Sequence, residues 1–127
     1  MTGLLIHRLV LAVVILIPLI TGFRSLLYGI ATYGVHTLPS APVLDSSLRF
    51  YGGIWFTISL VGIWCFFRLP EETTLYRALW LAIFLGGVGR LISLGSYPQV
   101  PPGIYGAIAI ELLLGPILVW HQSTLAQ

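Results

Sequence analysis

Five charged side chains lie within or beside segments of the sequence that are otherwise strongly apolar. They are Arg24, Asp45, Arg49, Arg90 and Glu111. Arginine carries a planar fork of N–H donors that binds pairs of phosphate or carboxylate oxygens, and aspartate and glutamate are its usual ion-pair partners. A desolvated Glu111 could also exchange a proton as an acid or base. The chemistry that these residue types allow is ion pairing, anion binding and proton transfer.

Other kinds of reactive site find no support in the sequence. No pair of histidines or acids has the spacing of a metal-binding motif, and Cys65 has no second cysteine to join it, so we expect no metal and no cofactor. Ser46, Ser47 and Ser93 lie near charges, but no G-x-S-x-G motif or base accompanies them. Because no cluster of basic residues could follow a phosphate backbone, we expect no nucleic-acid partner.

The composition indicates that lipid surrounds most of the chain. Of the 127 residues, 57% are hydrophobic and only 8% are charged, whereas about a quarter of the residues in a soluble domain are charged. Four apolar segments each approach the roughly 20 residues that cross a hydrocarbon layer, and backbone groups in lipid must pair within a segment. The predicted helices cover about residues 5–28, 46–67, 74–95 and 103–121. We therefore predict an all-α fold, with a single membrane domain over residues 1–127 that forms a four-transmembrane-helix antiparallel up-down bundle.

The distribution of arginines predicts the topology of this bundle. Arg8, Arg68 and Arg77 lie on the side of the two termini, and the opposite loops contain no arginine or lysine. The positive-inside rule then places both termini in the cytoplasm. The first segment is long enough to span the bilayer and no cleavage site follows it, so we expect it to be retained. The expected location is a bacterial inner membrane, in which the protein is multi-pass.

This topology brings the five charges to one side of the membrane. Arg24 and Arg90 come late in the first and third helices, Arg49 and Glu111 come early in the second and fourth, and Asp45 precedes Arg49 by one turn. These helix ends all point to the non-cytoplasmic side, so every helix contributes a charge to one layer. A charge at this depth is expected to face the interior of the bundle.

Small residues accompany the charges along the predicted helices. They are Gly53 and Thr57 near Arg49, Gly86, Gly87 and Ser93 near Arg90, and Ala107 and Gly115 near Glu111. Small side chains let membrane helices approach closely. Asp45, Ser46 and Ser47 also have the residue types of a helix N-cap, before the second apolar segment. The four tryptophans, mostly near segment ends, are expected at the membrane interfaces.

Three interpretations of the charge layer remain open. In the first, the layer binds the anionic group of a lipid or other amphiphile, because three arginines face two acids and an anion would neutralise the surplus. Arg49 and Arg90 would then hold the anion, Asp45 and Glu111 would orient them, and Arg24 would flank them. In the second, the charges only fix helix packing in a non-catalytic scaffold or accessory subunit, whose partner is another membrane protein or a second copy. In the third, the protein is a membrane enzyme that acts on a lipophilic substrate.

Three stretches of the sequence resemble a known family. "LDSSLRFYGGIW", "FLGGVGRLISL" and "IELLLGPILVW" are similar to the DUF4345 family of small bacterial four-helix membrane proteins. The family pattern falls on Asp45, Arg49 and Gly53, on Gly86, Gly87, Arg90 and Ser93, and on Glu111, Leu112 and Pro116. The resemblance implies a four-helix membrane fold in which the polar layer is a family feature. It implies no activity, because the family has none assigned.

Overall fold

Four long α-helices make up nearly all of the computed structural model, which describes residues 2–34, 42–96 and 99–125. The helices are α1 (Thr2–Tyr28), α2 (Pro42–Arg68), α3 (Thr73–Ser96) and α4 (Pro102–Leu125), and a short 3-10 helix (Gly29–Tyr33) follows α1. Each α-helix is long and apolar enough to cross a membrane. Within the described residues there is no β-strand. The predicted all-α class with four membrane-spanning helices is confirmed.

The helices extend a few residues beyond the apolar segments that predicted them. α2 and α4 begin at Pro42 and Pro102, where a missing N–H is tolerated because the first helical turn leaves its N–H groups unpaired. The predicted N-cap at Asp45 is therefore wrong, since the helix starts earlier and Asp45 lies inside its first turn. α1 and α4 continue through Pro18 and Pro116, as membrane helices allow.

The chain divides into two compact units, Thr2–Glu71 and Glu72–Gln127. Each unit contains two consecutive helices that pack together, α1 with α2 and α3 with α4. We call these units the α1–α2 hairpin and the α3–α4 hairpin. Large apolar side chains remain exposed along all four helices, as expected of surfaces that hydrocarbon solvates. The single domain and the joining of the two hairpins into one bundle stay predictions.

Close backbone contact characterises the α1–α2 hairpin near its loop. A Cβ atom built on Gly52 would lie 2.5 Å from the backbone nitrogen of Leu26, and one on Gly22 would lie 2.5 Å from that of Phe56. Real side chains do not pack this closely, so glycine is required at both positions. The antiparallel helices thus touch through their backbones, as small residues permit in membranes.

The α3–α4 hairpin also has glycines at its closest contacts. A Cβ atom on Gly87 would lie 2.9 Å from the Cβ of Glu111, and one on Gly115 would lie 3.2 Å from the backbone oxygen of Trp80. Trp80 is 1% exposed and packs edge-on against Tyr76. Trp80 is therefore not the lipid-exposed interface anchor that the sequence suggested. It packs against α4, where Gly115 has no side chain to exclude it.

Polar side chains join the helices within each hairpin as well. The bonds are Ser25 Oγ to the backbone oxygen of Leu48 (3.0 Å), Trp55 Nε1 to Thr21 Oγ1 (3.0 Å), Arg8 to the backbone oxygen of Leu69 (2.8 Å) and Arg77 Nε to Gln122 Oε1 (2.9 Å). The two arginine bonds lie at the hairpin ends remote from the loops. Bonds of this kind stabilise membrane helix pairs by about 0.6 kcal/mol on average. Arg8 and Arg77 therefore each hold two helices together within their own hairpin.

The neighbouring glycines Gly52 and Gly53 provide a test of backbone packing in the α1–α2 hairpin. We expect Gly52→Ala to lower the free energy of unfolding by about 1–3 kcal/mol, because the added methyl group collides with the α1 backbone. Gly53→Ala should leave it unchanged or slightly raised, since its Cβ would meet only Leu26 Cδ1 at 3.6 Å and alanine favours helix. Unfolding of detergent-solubilised protein by dodecyl sulfate, followed by circular dichroism, measures both. Equal effects of the two substitutions would contradict the packing.

Candidate functional site

The loop end of the α1–α2 hairpin holds an ion pair within α2. Arg49 Nε lies 2.7 Å from Asp45 Oδ2, to which it donates a hydrogen bond. The two residues are one helical turn apart, a spacing that places both side chains on the same face of a helix. The Arg49 side chain is 43% exposed and that of Asp45 30%. Asp45 thus orients Arg49 through direct contact while part of the guanidinium stays accessible.

Both members of this pair also bind the end of α1. Asp45 Oδ1 accepts a hydrogen bond from the backbone N–H of Ile30 at 2.9 Å. Arg49 donates from one terminal nitrogen to the backbone oxygens of Leu26, at 3.4 Å, and Leu27. The last carbonyls of a helix have no partner inside that helix, and a cation near them is favoured by the helix dipole. The Asp45–Arg49 pair therefore caps α1 from α2, a role that was not predicted from the sequence.

Gly29 lets the chain turn around this pair. Its φ of 53° lies in the left-handed region, which glycine adopts without steric cost. A Cβ atom there would lie 2.8 Å from Asp45 Cγ and 3.0 Å from Arg49 Nε. The absence of a side chain at Gly29 thus provides the space that the ion pair occupies.

A second ion pair joins the two helices of the α3–α4 hairpin. Arg90 Nε lies 3.1 Å from Glu111 Oε2. The Glu111 side chain is only 14% exposed, whereas that of Arg90 is 43% exposed. Glu111 Oε2 is buried and accepts no aligned hydrogen bond within the described residues, so its contact with Arg90 is mainly Coulombic. Gly87 makes the contact possible, because it lets α4 approach α3 beside Glu111.

The rest of the Arg90 guanidinium has no partner in the part of the chain that the structure describes. Its Nε faces Glu111, and neither terminal nitrogen donates a hydrogen bond there. This differs from Arg49, one of whose terminal nitrogens is bound to the backbone of α1. Arg90 therefore presents more free N–H donors than Arg49, on a side chain that a mostly buried carboxylate holds in place.

Arg24 does not reach a carboxylate within its own hairpin. Gly22 and Ser25 lie on the side of α1 that contacts α2, whereas Arg24 is exposed. Its backbone oxygen accepts a hydrogen bond from Thr32 Oγ1 at 3.2 Å, but among the described residues its side chain has no ion pair. Because each of the other two arginines has an acid, Arg24 carries the surplus charge. The gathering of all five residues into one layer stays a prediction.

The glycines that make close contact differ in part from the predicted ones. Among the described residues, a Cβ atom on Gly53 would meet one side-chain atom at 3.6 Å and one on Gly86 would meet none within 4 Å, whereas Gly52 and Gly87 lie against the partner helices. The predicted faces followed the positions of the arginines. A long arginine side chain reaches sideways around its helix, so the face under its Cα need not be the face in contact. Of the predicted small residues, Gly87 and Gly115 do pack at the helix interface.

These groups can bind an anion but do not form a metal centre. Among the described residues, no group of three or more histidine, cysteine, aspartate or glutamate side chains could hold a metal ion. Asp45 and Glu111 each face an arginine and belong to different hairpins. What the site offers is guanidinium N–H donors that carboxylates hold in position.

Comparison with known families gives one result. A family model described as a domain of unknown function, DUF4345, matches residues 6–122, which is nearly the whole chain. The chain therefore belongs to this family. Comparison with curated proteins and with solved structures found no match. Family membership supplies no activity, so the function has to be inferred from the site.

Gly29 and Gly34 provide a matched test of the corner around Asp45. Both have positive φ, 53° and 74°, but a Cβ atom at Gly34 would meet no described residue within 4 Å. Alanine at either position has a left-handed backbone cost of about 1–2 kcal/mol. We expect Gly29→Ala to lower the free energy of unfolding by about 1–3 kcal/mol more than Gly34→Ala, because it also displaces the carboxylate. In an Asp45→Ala background this difference should shrink, and its persistence would contradict the assigned contact.

A double-mutant cycle tests the pair across the α3–α4 hairpin. Arg90→Met should lower the free energy of unfolding more than Glu111→Leu, because it leaves a mostly buried carboxylate without its cation. After Glu111→Leu, the half-exposed Arg90 can still extend toward water. The double variant should be more stable than the sum of the single effects implies, with a coupling of about 0.5–3 kcal/mol. Unfolding in detergent measures all four proteins, and strictly additive effects would contradict the pairing.

Proposed function

We propose that this four-helix membrane protein binds the anionic group of a lipid or another amphiphile, with Arg90 as its main ligand. The observation that carries the proposal is the geometry of Arg90. Glu111 lies against its Nε, and both terminal nitrogens are without acceptors within the described residues. Two terminal N–H groups in one plane match the paired oxygens of a phosphate or carboxylate.

The surroundings of Arg90 support an approach from the lipid. The Arg90 side chain is 43% exposed, so part of it is accessible to a ligand. Arg90 lies six residues before the end of α3 at Ser96, which is about 9 Å at the helical rise. An arginine side chain is long enough to extend from this depth toward the headgroup region. A bound amphiphile would keep its apolar tail in the hydrocarbon and its anionic group on Arg90.

The other charged residues take graded roles in this proposal. Glu111 is a positioning residue that holds Arg90 in its half-exposed orientation. Arg49 contributes less than Arg90, because one of its terminal nitrogens already caps α1. Asp45 orients Arg49. Arg24 would add a further exposed cation, and among the described residues its side chain has no ion pair.

A second candidate function is that of a non-catalytic scaffold or accessory subunit. The observation that favours it is the corner of the α1–α2 hairpin, where Asp45 binds the 3-10 helix and Arg49 binds the last carbonyls of α1. If the Arg90–Glu111 pair acts in the same way, the charges only maintain helix packing. The partner would then be another membrane protein or a second copy. A membrane enzyme is a third and weaker candidate, in which Glu111 would act as an acid or base.

The proposal places the protein in a bacterial inner membrane with both termini in the cytoplasm. Arg8, Arg68 and Arg77 lie at the hairpin ends remote from the loops, and the positive-inside rule assigns such ends to the cytoplasmic side. The ligand would consequently be taken from the opposite leaflet.

Native mass spectrometry of the detergent-purified protein tests the binding proposal. We expect an adduct with added phosphatidylglycerol that Arg90→Gln weakens about tenfold or more, because charge-assisted hydrogen bonds contribute about 1.5–3 kcal/mol. Arg77→Gln is the matched control, since it makes the same change of charge on α3 itself, at the end remote from the loop, where the arginine bonds Gln122. It should leave the adduct unchanged.

The result also separates the candidate functions. Equal losses in the two arginine variants would show general attraction of anionic lipid and overturn the assignment of Arg90. If the natural protein keeps its fold but forms no adduct with phosphatidylglycerol, the result overturns lipid binding and favours the scaffold. Glu111→Gln distinguishes positioning from direct contact, because it should weaken the adduct less than Arg90→Gln does.

A further inference from the structure

The end of α2 remote from the loop carries an exposed group of two aromatic side chains and one cation. Trp64 is 48% exposed and Phe67 73% exposed. The Arg68 guanidinium lies over the Trp64 ring, 5.1 Å from its centroid, in the geometry of a cation–π contact. These three residues, which we call the aromatic–arginine patch, occupy the last two turns of α2.

The contacts of this patch leave it open. Within the described residues Arg68 has one ion pair, with its terminal nitrogen 3.8 Å from the exposed Glu71 Oε2, and its side chain is 55% exposed. Phe67 is among the most exposed large apolar side chains of the described residues. A tryptophan ring and an arginine placed together at the end of an apolar helix combine an apolar body with N–H donors. This combination is typical of the boundary between hydrocarbon and headgroups.

We infer that the aromatic–arginine patch is a lipid-headgroup anchor, in which Arg68 binds phosphodiester oxygens while Trp64 and Phe67 lie at the top of the hydrocarbon. Phosphate is the anionic group that every phospholipid supplies at this depth, and the guanidinium fork fits it. The inference concerns the remote end of α2 and does not depend on the proposed site at Arg90.

The length of α2 gives the inference a quantitative consequence. Arg68 comes 19 positions after Arg49, which is about 28 Å along a helix and close to the roughly 30 Å thickness of the hydrocarbon. With Arg68 at one boundary, Arg49 reaches the opposite boundary. The turn of α2 that contains Asp45 then lies among the headgroups. The Asp45–Arg49 corner is therefore at the membrane surface and not deep in the bilayer.

Nitroxide labels on exposed residues of α2 test this register in phosphatidylcholine vesicles. Phe67→Cys, Leu60→Cys and Phe50→Cys place labels at positions that are 73%, 48% and 65% exposed. The natural protein, whose Cys65 is buried, is the labelling blank. We expect contact with a water-soluble nickel chelate at positions 67 and 50, and contact with oxygen instead at position 60, about 10 Å deeper than position 67. If a label at position 67 or 50 has as little contact with the nickel chelate as the label at position 60, the register is overturned.

Substitutions next to the label test the part played by Arg68. Arg68→Leu should cause a loss of nickel contact at position 67, because the helix end no longer has a cation to hold it at the phosphates. Glu71→Gln is the control, since it removes the nearby acid and keeps Arg68 over Trp64, and it should leave nickel contact unchanged. Unchanged nickel contact after Arg68→Leu would overturn the anchor, with the label at position 60 confirming that the protein remains inserted.

Discussion

Helices surrounded by hydrocarbon gain little from burying apolar surface against each other, so their association depends on close backbone approach and on polar bonds. In both hairpins the close approach occurs at glycine, at Gly22 and Gly52 in one and at Gly87 and Gly115 in the other. The polar bonds depend on this approach. Glu111 reaches Arg90 because a glycine lies beneath it on α3. The charged residues are thus placed by the glycines.

The two carboxylates use this arrangement in different ways. Asp45 binds an arginine in its own helix and a backbone N–H beyond α1, so both of its oxygens are occupied. Glu111 faces one arginine on the neighbouring helix, and its buried oxygen accepts no aligned hydrogen bond within the described residues. The first acid closes a turn, and the second holds a cation that remains half exposed. This difference separates a structural corner from a candidate binding site.

Much of the fold could be predicted from the sequence. Each apolar segment is long enough to cross the bilayer, and a segment in lipid forms a helix because its backbone groups must pair within it. The contact between Asp45 and Arg49 follows from their spacing. That between Arg90 and Glu111 follows from the antiparallel order of α3 and α4. That Arg24 lies on the exposed side of α1 could not be predicted in the same way. A helix that is apolar all round has no polar face to show its rotation about its own axis.

The capping of α1 also could not be predicted from the sequence. It depends on the left-handed conformation of Gly29 and on the direction that the Arg49 side chain takes across the hairpin. Neither is encoded in residue spacing. Nor could the sequence show which of Gly52 and Gly53, or of Gly86 and Gly87, faces the partner helix. Both members of each pair are glycine, and they differ only in the side of the helix on which they lie.

The cap on α1 has a consequence for how the protein enters the membrane. The last carbonyls of α1 receive their hydrogen bonds from an arginine that is synthesised some twenty residues later. Until α2 arrives, that end of α1 has to keep contact with water or with the insertion machinery. The arginine is accompanied by its own acid one turn away, so α2 brings a neutral pair and not a bare cation. The end of α1 therefore acquires its hydrogen bonds from the protein only when α2 has formed, and the two helices complete this corner together.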